Sequence, residues 1–425
     1  MSQTKRHPLQ TKDHREKVIL VHVDFGKSAG ITQDLEEFHE LATSAGAVVV
    51  AIITCKREAP DPKYFIGSGK AEEVRESILA NKPDLIIFNN FLSPAQERNL
   101  EKFLQCRVLD RTSLILDIFA QRARSFEGKL QVELAQLEHL ATRLVRGWTH
   151  LERQRGGIGV RGGPGESQLE LDRRILRDKV TNVKQRLVKL EKQRLQNRRA
   201  RTRAALPTIA LVGYTNAGKS TLFNLLTSEK VYVADKLFAT LDPTLRRIQL
   251  PGFGAVIIAD TVGFIRDLPH ELIKAFHATL EETREADLLL HIIDASDPRK
   301  NEKIEVVNKT LEEIGAVSVL QLQVLNKIDL LDEFEPRVDV DADNYPVRVW
   351  MSSVDGRGVD LLTDAIKQII APKLEEIEIC LLPHAGQIRA ALYQSNAILS
   401  ETIDEYGNSH LKLHISCMDL ERIFA

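Results

Sequence analysis

The stretch Gly213-Tyr214-Thr215-Asn216-Ala217-Gly218-Lys219-Ser220 constrains the fold of this chain more than any other. It fits G-x-x-x-x-G-K-[ST], and its flanks supply the context that gives the pattern meaning. An apolar, β-branched run, Thr208–Val212, precedes it, and a helical stretch begins at about Lys219. A strand that feeds a glycine-rich turn and then a helix points backbone N–H groups inward. The helix N-terminus adds partial positive charge, so the turn becomes a cradle for phosphates. In that frame Lys219 reaches the outer phosphates and the Ser220 hydroxyl ligates Mg2+. The expected setting is an α/β unit opened by Pro207, with Ala255–Asp260, Leu288–Asp294 and Leu320–Asn326 as further strands and amphipathic helices such as Glu302–Ile314 between them.

Further stretches stand in the order such a site needs. Asn326-Lys327-Ile328-Asp329 closes one of the apolar runs. A carboxylate there accepts two hydrogen bonds from guanine N1–H and N2–H2, a donor pair that adenine lacks, and leaving buried groups unpaired makes the discrimination strong. Asn326 is expected at the far edge of the base, with the Lys327 stem over its face. Asp260-Thr261-Val262-Gly263 ends another run. Asp260 would hold Mg2+ through water, and the Gly263 N–H would meet a γ-phosphate, so the segment after it senses hydrolysis. Phe238-Ala239-Thr240-Leu241-Asp242 lies between the first motif and this one. Thr240 is the preferred threonine to complete the metal shell, with Thr244 as its rival. Ser352-Ser353-Val354 is placed as a backbone contact to guanine. Together these residues read as a GTP/GDP site in which Lys219, Thr240 and Gly263 carry the catalytic roles.

Elsewhere two textures alternate. Val18–Phe25, Ala47–Thr54 and Asp84–Asn89 are short apolar runs separated by helical patterns, Thr32–Ala45 and Ala71–Ala80. That alternation predicts an open parallel α/β sheet ending near Val108–Asp110. Then Leu130, Leu134, Leu137, Ala141, Leu144, Trp148 and Leu151 follow a 4-3 spacing, repeated by Leu176, Val180, Val183, Leu187 and Leu190. Residues 156–165, GGIGVRGGPG, cannot be helix, so the expectation is an antiparallel helical hairpin with a glycine-rich tip. Each arm would reach about 35 Å. Residues 121–206 hold 21 Lys/Arg against 9 Asp/Glu, a net +12 in a chain whose total is −2, which points to an anionic partner for this segment. Arg153, Arg155, Gly156, Gly157, Gly159, Arg161, Gly162 and Gly163, at or beside the tip, are the RNA-binding candidates.

The expected division is a flexible N-terminus (1–17), an N-terminal α/β domain (18–125), the basic hairpin (126–206), a nucleotide domain (207–372) and a small α+β C-terminal domain (373–425). The tail reads as a strand (Ile377–Leu381), a helix (His384–Ile398) and a hairpin turning at Tyr406-Gly407-Asn408. The apolar runs are strand-length, so no membrane span is expected. Four scattered cysteines without a C-x-x-C argue against a disulfide scaffold or a zinc site and fit a reducing, cytoplasmic setting.

The ordered set resembles the HflX family of ribosome-associated GTPases, within the translation-factor class of P-loop GTPases. The resemblance rests on the basic hairpin, GGIGVRGGPGE at 156–166, GYTNAGKS, LFATLDPT at 237–244, DTVGF at 260–264 and NKID. Tyr64-Phe65-Ile66-Gly67-Ser68-Gly69-Lys70 in the first domain adds to it. It covers about residues 18–372 and implies GTP hydrolysis, binding to ribosomal RNA of the large ribosomal subunit, and splitting or rescue of stalled ribosomes, often under heat stress. A free monomer that is partly ribosome-bound in the cytoplasm is expected. Phe264 stands where Ras-like enzymes carry a water-positioning glutamine, so slow intrinsic hydrolysis and an external activator are expected. Asn216 would help bind K+ or hydrogen-bond its own loop. The alternatives are a GTPase of ribosome assembly or tRNA modification, and a coiled-coil signalling switch with a protein partner.

Overall fold

The computed structural model describes residues 15–26, 31–146, 168–203, 206–227, 237–238, 240–266, 277–371, 374–394, 397–404, 406–416 and 423. Contacts divide the chain into two compact units, Met1–Leu362 and Thr363–Ala425.

The first unit opens with β1 (Lys17–Asp24), which carries the apolar run Val18–Val21 and is buried beyond its first residue. That pattern marks a central parallel strand covered on both faces. The sheet order is β2 (Val48–Lys56), β1, β3 (Leu85–Phe88), β4 (Arg107–Asp110), all parallel. Four helices belong to it: α1 (Ile31–Ser44), α2 (Ser68–Asn81), α3 (Pro94–Leu104) and α4 (Arg111–Arg122). A capping box, Ser93 with Gln96, starts α3. Asp110 caps α4 by accepting from the Ser113 N–H.

Two helices follow, α5 (Phe126–Arg146) and α6 (Gln168–Arg203). They pack along the expected seams: Leu130, Leu134 and Leu137 of α5 cluster with Val180, Val183, Leu187 and Leu190 of α6. Lys184 bridges to Glu138 at 2.8 Å. The second arm is longer than the expected reach. Its 36 residues contain no Gly or Pro to end it and span about 54 Å. The tip, with Arg153, Arg155, Gly156, Gly157, Gly159, Arg161, Gly162 and Gly163, lies outside the described residues, as do Trp148 and Leu151.

The base of α5 is pinned to the first sheet by buried polar groups. Arg143 pairs with Asp110 at 2.7 Å and with Glu97, and donates through Nε to His139 at 2.9 Å.

The second sheet has seven strands in the order β10-β11-β9-β8-β5-β7-β6: β10 (Arg337–Val340), β11 (Pro346–Trp350), β9 (Leu320–Asn326), β8 (Leu288–Asp294), β5 (Thr208–Gly213), β7 (Gly254–Asp260) and β6 (Thr244–Leu250). The five central strands are parallel and the two edge strands run antiparallel to their neighbours. The helices are α7 (Lys219–Thr227), α8 (His277–Arg284), α9 (Lys300–Glu313) and α10 (Val359–Ile370). Chain order reverses at β5, which has β8 on one side and β7 on the other. In open α/β sheets a ligand binds at the carboxyl ends of strands beside such a reversal. One apolar core runs beneath both sheets. It joins Leu20, Phe38 and Phe119 of the first with Val212, Phe238 and Phe264 of the second.

The second unit is a three-stranded antiparallel sheet in the order β12 (Leu374–Leu381), β14 (Ser409–Ser416), β13 (Ile398–Ile403), with helix α11 (Gly386–Gln394). The helix is shorter than the sequence suggests. Ile398, expected at its end, begins β13 instead, because residues 398–403 pair with β14 and satisfy their backbone there. Among the described residues no helix is long and apolar enough to cross a membrane.

Candidate nucleotide site

The motif residues meet at the carboxyl ends of the parallel strands. Gly213 ends β5, Asp260 ends β7, Asn326 ends β9, and Ser352 follows the end of β11. The loop after β5 leads into α7, so the first N–H groups of that helix face the carboxyl edge of the sheet. Lys219 is buried, and burial pushes its ammonium down to about 8, against an opposing pull from Asp260. Its Nζ donates to the carbonyls of Gly213 (3.1 Å) and Tyr214 (2.8 Å), which belong to its own loop. Behind the loop, burial lowers the His291 imidazole to about 4, and the Lys219 charge pushes the same way.

Three oxygens converge beside Lys219. The hydroxyls of Ser220 and Thr240 lie 2.9 Å apart, and each donates to Asp260 Oδ2 at 2.8 Å. Asp260 is 0% exposed, its other carboxyl oxygen has no partner, and burial raises its pKa. Hard oxygen donors around an unsatisfied carboxylate suit Mg2+, so the residues fit the ion that the sequence implies. Thr244, the rival, begins β6 opposite Asp260 in register, whereas Thr240 is in the cluster.

At the base end, Ser352 donates to Asp329 Oδ1 at 2.5 Å, and Lys327 pairs with Asp294 at 2.7 Å. Asn326 has a structural task beside the expected one at the base edge. Its Nδ2 donates to the Ala217 carbonyl at 2.9 Å and its Oδ1 accepts from the Ser353 N–H at 2.8 Å. Both ends of the amide are used to tie the phosphate loop to the loop after β11, so Asn326 holds the pocket walls together. Ile328 is buried in the core, while Val354 is largely exposed. A cavity of about 340 Å³ opens beside the phosphate loop, lined in part by Glu36, Thr215, Asn216, Asp294 and Lys303.

The segment after Asp260 closes on the phosphate loop. Phe264 N–H donates to the Gly213 carbonyl (3.1 Å), and Thr215 N–H donates to the Phe264 carbonyl (2.8 Å). Gly263 packs so tightly that a side chain there would meet Thr215 and Lys219 Nζ. The Phe264 ring, 1% exposed, points into the shared core with Val262 nearby. Thr261 donates to the Leu211 carbonyl.

Two placements were not legible in the motifs. The Tyr214 hydroxyl donates to Glu37 of α1 (2.5 Å) and accepts from the Arg266 N–H (3.0 Å). Arg111 pairs with the same Glu37, and Arg266 pairs with Asp34 (3.0 Å). Asp242, expected at the nucleotide, instead turns its carboxylate onto the start of α5. Phe238 and Leu241 are buried in the shared core, so only their backbone is free to face a ligand, and Ala239 lies outside the described residues.

The chain is similar to known proteins along most of its length. Residues 32–120 match the sequence family described as GTP-binding GTPase N-terminal, 122–201 the GTP-binding GTPase middle region, and 208–327 the 50S ribosome-binding GTPase family. The GTPase HflX of Escherichia coli K12 is 54% identical, over 97% of this chain and 96% of its own. The protein of the same name from Caldanaerobacter subterraneus subsp. tengcongensis is 43% identical, over 96% and 93%. A GTP-binding protein from Sulfolobus solfataricus, solved with GDP, is 24% identical with a TM-score of 0.44, over 83% of this chain and 98% of its own.

Proposed function

Because this chain belongs to the HflX family of GTPases and hydrolyses GTP, we propose that it binds the large ribosomal subunit and, in its GTP state, splits or rescues stalled ribosomes, with a role under heat stress. The observation that carries the RNA-facing part is the hairpin. A net +12 segment includes two long helices whose apolar seams pack on each other, and the excess positive charge of the segment suits an anionic partner. A match to a family described as 50S ribosome-binding supports the choice of partner. Cytoplasmic residence, partly on ribosomes, follows from the same reading.

At the nucleotide, Lys219 exchanges its own loop carbonyls for the β- and γ-phosphates, which restores a favourable setting for its buried charge. Ser220 and Thr240 would hold Mg2+ directly and Asp260 through water. Magnesium bound there neutralises charge developing on the phosphates. Asp329 reads the guanine edge, and the loop at Ser352–Val354 contacts guanine through its backbone. Gly263 offers its N–H to the γ-phosphate. The Phe264 ring can neither orient nor deprotonate water, so the chain awaits an activator. Loss of the γ-phosphate then releases the Thr240 and Gly263 segments together, and the hairpin lets go of RNA.

Sucrose-gradient profiles of intact ribosomes test this directly. With a non-hydrolysable GTP analogue the protein is expected to travel with large subunits and to shift intact particles toward free subunits, whereas with GDP it remains at the top of the gradient. Binding should fall steeply with salt. Nucleotide-independent binding that ignores salt and survives deletion of residues 156–165 would instead fit a protein partner for the hairpin.

A further inference from the structure

The loop carrying Thr240 is fixed by contacts outside the nucleotide-binding sheet. The Leu237 N–H donates to the Ser44 hydroxyl of α1 at 3.2 Å. The Phe238 ring meets the Phe119 ring of α4 edge-on, with centroids 4.6 Å apart. The Asp242 carboxylate accepts from the N–H groups of Arg124 (2.9 Å) and Ser125 (2.8 Å), and from the Ser125 hydroxyl.

The third contact is built with particular economy. Ser125 caps α5: its hydroxyl oxygen accepts from the Gly128 N–H at 2.8 Å, so its proton is free to point at Asp242. The atom that starts the hairpin helix is therefore also the atom that anchors the loop. A carboxylate at a helix N-terminus meets the positive end of the helix dipole. The approach is close enough that a side chain at residue 128 would collide with Asp242 Oδ1, and that position is glycine.

We propose that Asp242 is a positioning residue for GTP hydrolysis: through the first turn of α5 it holds the loop so that the Thr240 hydroxyl stays beside Ser220 and Asp260. Two peptide units separate Thr240 from Asp242, at most about 7 Å of chain, so displacement of the anchor is transmitted to Thr240. Without the anchor, that segment must lose its backbone freedom each time nucleotide binds. The contact also works in reverse, since a force on the base of the hairpin moves Thr240. This inference rests on the assignment of Thr240 to the metal and γ-phosphate.

The test uses the full chain with Asp242→Ala, Asp242→Asn, Ser125→Ala and the control Thr240→Ala. Asp242→Ala is expected to lower kcat about tenfold and raise the Mg2+ concentration for half-maximal turnover about fivefold, while leaving the Kd for GDP within about twofold. Amide exchange at Arg124 and Ser125 should be slowed by a non-hydrolysable GTP analogue in the wild type, and that slowing should vanish in Asp242→Ala. Ser125→Ala should move the same quantities in the same direction, Asp242→Asn less so, and Asp242→Ala should add nothing to Thr240→Ala. If Thr240→Ala loses turnover while Asp242→Ala and Ser125→Ala stay within about twofold of wild type in every readout, the positioning role is overturned and the metal site stands. If Thr240→Ala is harmless, the Thr240 assignment falls and the positioning role with it. Should Asp242→Ala fail to bind GDP, Gly128→Ala decides instead. It keeps every hydrogen-bonding group but crowds Asp242, and wild-type turnover and exchange in that variant would overturn the proposal.

Discussion

The Ser352 hydroxyl holds the Asp329 carboxylate at 2.5 Å, so the loop after the last parallel strand sets the direction of the residue assigned to the guanine edge. Asp329→Asn replaces one acceptor oxygen by a donor. GTP affinity is expected to fall by at least about a hundredfold while xanthosine triphosphate, whose edge presents a carbonyl at that position, gains. Competition binding with the two nucleotides checks this, and an unchanged preference for GTP would remove Asp329 from base reading.

Affinity for GTP should depend on pH through Lys219, whose ammonium titrates near 8 in the nucleotide-free chain because it is buried. Flanked by phosphates it must be charged, so its pKa rises on binding. Below pH 8 free and bound forms both carry the proton, and affinity is flat. Above it the free chain has lost a proton that the complex regains, so affinity drops by up to about tenfold per pH unit. Titrations with a non-hydrolysable analogue from about pH 7 to about pH 9.5 would reveal the break, and a level profile throughout would contradict it.

Arg143 is the guanidinium that neutralises Asp110, which is 0% exposed, where α5 meets the first sheet. Arg143→Ala removes the cation shared by Asp110 and Glu97 and is expected to cost about 3–5 kcal/mol in urea unfolding. Adding Asp110→Asn, which can still cap α4, should recover part of the loss. A single-variant cost below about 1 kcal/mol would mean that the pair contributes little.

Phe264→Gln, which restores the side chain of Ras-like enzymes, is not expected to speed hydrolysis. The ring is embedded in the core, so the change loses its packing and buries an amide, at a cost of about 3 kcal/mol or more. Turnover and thermal melting of the same preparation test both halves. A faster enzyme of normal stability would show that the position can face the nucleotide after all.

The motif ends were legible because each lies where an apolar strand stops, and strand ends are encoded locally. Ser220 and Asp260 come together for that reason. Thr240 could be narrowed only to one of two threonines, since what brings it in is a set of contacts with Ser44, Phe119 and Ser125 more than a hundred residues upstream. Glu37 and Asp34 were illegible for a related reason. On α1 they resemble an ordinary solvated acidic face, and only the fold reveals Tyr214, Arg111 and Arg266 opposite them. The tie that Asn326 makes between Ala217 and Ser353 was illegible too, because both partners are backbone groups brought in from other loops. At Ile398 a helical reading lost to strand pairing, because cross-strand partners outweigh a weak local pattern.

The apolar core that runs beneath both sheets counts Phe238, Leu241 and Phe264 among its members, residues of the loops proposed above to sense the nucleotide. In that role, sensors used as structural plugs would tie the molecule's clock to its calorimetry. Warming that softens the first sheet would then loosen both loops in the same cooperative step, and a fragment cut free at Pro207 would carry these side chains bare into solvent and clump.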